Sequence, residues 1–124
     1  MSTVLIVEDN EKNMKLARDV LQAKGYQTLE AVTGEEGVKL AREKKPDLVL
    51  MDIQLPGING IEAFKQIRAD AKTARVPVVA LTASVTPTDR SAINAAGFDA
   101  FVSKPINLKE FLDTVKRLIE RAAK

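Results

Sequence analysis

Three acids, a hydroxyl and an amine stand where runs of apolar residues stop. Glu8 and Asp9 follow the run 3–7, Asp52 follows 47–51, Thr82 closes 78–82, and Lys104 with Pro105 follows 98–103. Carboxylates brought together repel one another and resist ionisation unless a cation joins them, and a set of oxygen ligands selects a hard ion such as Mg2+. An ammonium beside them could hold a phosphoryl oxygen, and a threonine hydroxyl could donate to another. The chain has no histidine and no cysteine. That excludes Ser-His and Cys-His relays, imidazole or thiolate metal sites and disulfides. A metal-flanked carboxylate is then the available nucleophile, and phosphoryl transfer to it would leave an acyl phosphate.

Taken singly, each residue has an ordinary role. Asp9 or Asn10 could cap a helix, Asp52 could be a turn residue, Thr82 a β-branched strand residue, and Lys104 a surface lysine before a proline turn. Independent structural roles do not require acids, hydroxyl and amine to collect at one edge of a sheet. The elements that carry them decide whether they do.

Five short apolar runs, 3–7, 26–32, 47–51, 78–82 and 98–103, alternate with longer amphipathic segments, which is the rhythm of βα units around a parallel sheet. The helical stripes read Met14, Ala17, Val20 and Leu21; then Gly37, Val38 and Ala41; then Ile61, Phe64 and Ile67. A thin fourth follows at Ala92, Ile93 and Ala96, and the fifth runs Leu108, Phe111, Leu112, Val115, Leu118, Ile119 and Ala122. Thr33 with Glu36, Thr86 with Pro87 and Asp89, and Asn107 with Glu110 are helix starts. Gly25 before Tyr26 and Gly97 before Phe98 suit left-handed helix ends whose next aromatic packs back on the helix.

The runs V-L-I-V, L-V-L-M and V-V-A-L are apolar on both faces, as central parallel strands require, whereas Y-Q-T-L-E-A-V and F-D-A-F-V-S are mixed, as an edge tolerates. Right-handed crossovers between sequence neighbours then predict a doubly wound, flavodoxin-like (βα)5 sheet in the order 2-1-3-4-5. Its crevice lies at the carboxyl ends of strands 1 and 3. All five chemical residues would face that mouth.

With 124 residues, 45% hydrophobic and 29% charged, the chain reads as one globular domain, residues 1–124, with no appended output domain. A domain of this size buries roughly two thirds of its unfolded surface, enough for a core without crosslinks. A formal charge of +2 is too small to imply nucleic-acid binding. The basic residues Lys116, Arg117, Arg121 and Lys124 share the last helix with Glu110, Asp113 and Glu120, which suits a solvated face. The first apolar run meets two acids at once and no stretch approaches a membrane span, so a cytoplasmic protein is expected.

The runs V-L-I-V-E-D-N, L-V-L-M-D-I-Q-L-P-G-I-N-G, V-P-V-V-A-L-T-A and F-V-S-K-P-I, in this order and across essentially the whole chain, resemble those of a CheY-like response-regulator receiver domain. The stretches E-D-N-E-K-N-M-K-L, K-P-D-L and K-R-L-I-E-R are similar to those of single-domain cell-cycle regulators of that family. The resemblance implies that Asp52 is the phosphoacceptor. Asp9 and Asp52 would ligate Mg2+ with the backbone carbonyl of Gln54, and Glu8 would act through water. Thr82 matches the switch hydroxyl, Lys104 the lysine that pairs with the phosphoryl group before a cis bond to Pro105, and Phe101 the switch aromatic. Relatives often carry Tyr at the place of Phe101, so a hydroxyl contact is missing here, and plain edge-strand packing also accounts for Phe101. The implied partners are a sensor histidine kinase or histidine phosphotransfer protein, and a downstream protein reached through the fourth helix, fifth strand and fifth helix.

Other classes fit less well. An FMN domain of this topology would need a phosphate-cradling first loop, where Glu8, Asp9 and Glu11 would repel the ligand. An Asp-nucleophile phosphatase would usually offer a second acid two residues after the nucleophile, and that place is Gln54. A receiver-like interaction module that is never phosphorylated is the closest alternative.

Overall fold

The computed structural model describes residues 2–53, 55, 57–82, 87–103 and 107–122, without the side chains of 87–90 and 122. Strands and helices alternate: β1 (Thr3–Val7), α1 (Glu11–Ala23), β2 (Gln27–Ala31), α2 (Gly34–Lys44), β3 (Leu48–Asp52), α3 (Gly60–Ala69), β4 (Val78–Thr82), α4 (Pro87–Ala96), β5 (Ala100–Ser103) and α5 (Leu108–Ala122). The strands form one parallel sheet in the order β2-β1-β3-β4-β5, the order predicted from strand composition. Every residue of β3 and β4 is buried, and β1 is buried after Thr3. The edge strands β2 and β5 are mixed.

Because side chains alternate across a strand, each central strand feeds two cores. Val4, Ile6, Leu48, Leu50, Val79 and Leu81 meet α1 and α5 through Met14, Leu21, Phe111 and Val115. Leu5, Val7, Val49, Met51 and Val78 meet α2 and α3 through Val38, Ala41, Phe64 and Ile67. The α5 stripe is narrower than its sequence period: Phe111, Val115 and Leu118 are buried, Leu112 and Ile119 half-buried, and Leu108 is exposed. Leu108 occupies the first position of its helix, where the stripe has not yet come over the sheet. In α4, Ile93 is buried while Ala92 is exposed, in keeping with a thin apolar face.

Local signals set the element ends. Thr33 Oγ1 accepts the Glu36 N–H at 3.1 Å, and Asn107 Oδ1 accepts the Glu110 N–H at 3.1 Å. Thr86, the expected cap of α4, lies outside the described residues. At the end of α1, Gly25 takes φ 90°, its N–H reaches the Gln22 carbonyl at 3.0 Å, and the Tyr26 N–H reaches the Leu21 carbonyl at 3.1 Å. This doubly bonded close needs a left-handed residue, and Tyr26 packs against the cluster that holds Leu21. Gly97 is likewise left-handed at φ 95°. Phe98 after it stacks on Phe64 of α3, with ring centroids 4.1 Å apart, so this aromatic ties the helix end to a neighbouring helix.

Candidate phosphoacceptor and cation site

The sheet register brings the acids together. Val7 pairs with Met51, so the next residue on each strand, Glu8 and Asp52, leave the sheet side by side. The Glu8 N–H still bonds to Ala31 of β2 at 2.9 Å, and the Ile53 N–H to Leu81 of β4 at 3.0 Å. The chain is therefore held in strand geometry up to the point where the carboxylates project. Glu8, Asp9 and Asp52 each offer an oxygen, all within 4.8 Å of one another. Glu8 and Asp52 are buried at 1% and 4% exposure, whereas Asp9 faces solvent.

The geometry of the first loop decides between Asp9 and Asn10 as the cap of α1. Asn10, not Asp9, caps α1: its Oδ1 accepts the N–H groups of Lys12 at 3.0 Å and Asn13 at 3.1 Å. Glu8 Oε1 in turn accepts the Asn10 N–H at 3.2 Å. The cap thus leaves the Asp9 carboxylate to the acidic cluster.

On the other side of Asp52 the chain turns sharply into α3. Asn59 caps that helix through the Glu62 N–H at 2.9 Å, and the Gly60 N–H donates back to the Ile53 carbonyl at 3.0 Å. Gly60 lies so close to the end of β3 that any Cβ there would overlap the Asp52 carbonyl oxygen. The order Asn-Gly-Ile-Glu at 59–62 signals this cap in the sequence, but nothing local signals the pressure on Asp52.

Asp52 pairs in register with Leu81, which places Thr82 one residue further along the same edge, buried at 1% exposure. Phe101 pairs with Ala80 and Ser103 with Thr82, so Phe101 and Thr82 lie on the same face of neighbouring strands. Phe101 is half-buried. The structure therefore gathers Glu8, Asp9, Asp52 and Thr82 at the carboxyl edge of the sheet. Lys104, Pro105 and Gln54 lie outside the described residues.

Two buried carboxylates and a third within reach make a concentration of like charge that burial penalises. The donor set is oxygen only, and its oxygens lie within 4.8 Å of one another, close enough to share one ion directly or through water. These residues fit a hard divalent cation of the Mg2+ class.

Comparison with known proteins agrees with this architecture. The sequence model of the response regulator receiver domain matches residues 4–116. The polar-differentiation response regulators DivK of Brucella anthropi and Brucella melitensis are each 46% identical over 114 residues, spanning 92% of this chain and 93% of theirs. The receiver domain of the sensor histidine kinase PA1611 of Pseudomonas aeruginosa, solved with a magnesium ion in its active-site cleft, is similar in structure. Its TM-score is 0.90 at 33% identity, over 96% of this chain and 98% of that one. The Vibrio cholerae chemotaxis protein CheY4 gives 0.88 at 27% identity, over 95% and 98%. The sheet order, the acidic edge and these matches together make the chain a member of the response regulator receiver domain family.

Proposed function

We propose that the protein is a phosphoacceptor of a two-component phosphorelay in the cytoplasm, and that Asp52 receives the phosphoryl group. The observation that carries this reading is the convergence of the Glu8, Asp9 and Asp52 carboxylates within 4.8 Å, beside Thr82, at one edge of the sheet. An Asp52 carboxylate oxygen attacks phosphorus of a phosphohistidine partner. The new P–O bond forms as the P–N bond breaks, and the imidazole nitrogen keeps the electron pair and takes up a proton. A bound Mg2+ supplies charge neutralisation for the phosphoryl oxygens. Asp9, Asp52 and the Gln54 carbonyl are its proposed protein ligands, and Glu8 acts on it through water. Thr82 donates to one phosphoryl oxygen and Lys104 pairs with another.

The modification adds negative charge at a buried edge, which biases any two-state element that Thr82 joins. The expected readout surface is α4, β5 and α5, with Phe101 following Thr82 on the shared face. The DivK names of the Brucella relatives support a role in cell polarity or the cell cycle through phosphorylation-dependent protein contact.

Intact-mass spectrometry after incubation with Mg2+ and acetyl phosphate tests the reading. One phosphoryl group on the wild type, lost with EDTA and absent from Asp52→Asn, is the expected result. If acetyl phosphate and fluoroberyllate both leave mass and amide spectra unchanged in Mg2+, the chain is an interaction module without the chemistry.

A further inference from the structure

The start of α2 presses on the loop that leads from Asp52 into α3. A Cβ built on Gly34, the first residue of α2, would lie 2.7 Å from Ile58 Cγ1 and 2.9 Å from the Ile58 carbonyl oxygen. The second of these is a backbone atom and cannot swing aside. Ile58 stands two residues before Gly60, where a Cβ would overlap the Asp52 carbonyl oxygen and whose N–H is bonded to the Ile53 carbonyl. The run 58–60 is therefore held between the N-terminal turn of α2 and the end of β3, with only glycine hydrogens at the two contacts.

We propose that Gly34 is a positioning residue for the divalent-cation site, acting on Asp52 through Ile58 and Gly60. This inference rests on the reading of the acidic cluster as a cation site. Gly34→Ala moves the Ile58 backbone by about 0.5 Å to reach ordinary contact, which is the tolerance within which a ligand set must be held. A shift of Ile58 is carried through Asn59 to Gly60, whose close approach to the Asp52 carbonyl passes it to the Asp52 main chain. Alanine is a better helix former than glycine, which offsets part of the strain and favours a folded variant.

Binding of Mn2+, read from the loss of its free-ion electron paramagnetic resonance signal, tests this without any phosphoryl chemistry. Wild type binds and Asp52→Asn does not, if the cation site is read correctly. A wild type that takes up no Mn2+ overturns that reading and this inference together. Given binding, Gly34→Ala is expected to weaken it about tenfold, the low end of what loss of an outer-shell partner costs, under conditions where urea curves show it fully folded. Adding Ile58→Ala removes the Cγ1 and Cδ1 contacts and recovers part of the loss. Equal affinity of Gly34→Ala and wild type, or strictly additive losses in the double variant, overturns the role of Gly34 alone.

If Gly34→Ala does not fold, the wild type is measured in the reverse direction, because coupling between two sites is reciprocal. Amide signals of Gly34 and Glu35 that follow the Mg2+ titration curve of Asp52 support the proposal, and signals that stay still overturn it.

Discussion

Arg68 Nη2 lies 2.6 Å from Asp99 Oδ2, an ion pair that joins the last turn of α3 to the residue before β5. The same Asp99 oxygen accepts the Val78 N–H at 2.8 Å, at the first residue of β4. Arg68 also donates to the Val76 carbonyl and lies over the Phe64 ring, 4.8 Å from its centroid. One carboxylate thus ties helix and two strands at the amino edge of the sheet, opposite the acidic cluster.

Asp99→Ala is accordingly expected to cost about 1–3 kcal/mol in urea unfolding, because it strands a part-buried N–H as well as breaking the pair. Asp99→Asn keeps an acceptor for Val78 and should cost less. Mn2+ affinity should be the same in both variants as in wild type, since neither touches the carboxyl edge. A change there would mean that the two edges of the sheet are coupled.

The acidic cluster makes stability depend on metal in a defined direction. A cation that binds only the folded chain adds about 2.7 kcal/mol at roughly 100 times its dissociation constant. In EDTA the sign reverses for one variant: Asp52→Asn removes a charge from three crowded carboxylates and should raise stability by on the order of 1 kcal/mol. Melting curves of wild type and Asp52→Asn, with Mg2+ and with EDTA, should therefore cross in order. Wild type that gains nothing from Mg2+ would contradict the cation site.

The sheet and its acids were legible because both depend on short-range pattern. V-L-I-V, L-V-L-M and V-V-A-L are apolar on both faces, so they had to be central, and the order of strands placed Glu8 beside Asp52. The cap of α1 was not legible, since Asp9 and Asn10 are equally able to cap, and only the loop geometry assigns the task to Asn10. Leu108 fits the α5 period yet sits outside the core, because a period says nothing of where a helix first meets its sheet. The contacts of Gly34 with Ile58 and of Arg68 with Asp99 join residues far apart in sequence, and no local pattern encodes such meetings.

Lys45 closes α2 in the left-handed region at φ 47°, the one non-glycine residue with positive φ among the described residues. Its side chain is exposed, so no packing depends on it. The left-handed conformation strains a residue with a Cβ, whereas glycine adopts it freely at a cost in unfolded-chain entropy that offsets part of the gain. Lys45→Gly should therefore stabilise by about 0.5–1 kcal/mol in urea unfolding. Lys45→Val, β-branched at the same φ, should destabilise. An unchanged midpoint for both would show that the helix end relaxes to another conformation.

Tyr26 is the single tyrosine, and the chain has no tryptophan, so its ultraviolet absorbance reports one phenol. Burial first, and the Glu120 carboxylate second, push its hydroxyl above the ordinary value of 10.0. Both causes disfavour the phenolate, so the folded state holds the proton more tightly than the unfolded chain does. The sign for stability follows: the contribution is fully present below pH 10.0 and is lost as pH rises through the higher folded-state value. Alkaline difference spectra should show the native phenol ionising above the urea-unfolded one, and the urea midpoint should fall across the same window. Glu120→Gln should lower the native value only part of the way, because burial is the larger cause. A return to the unfolded value in that variant would instead make the Glu120 charge the whole effect.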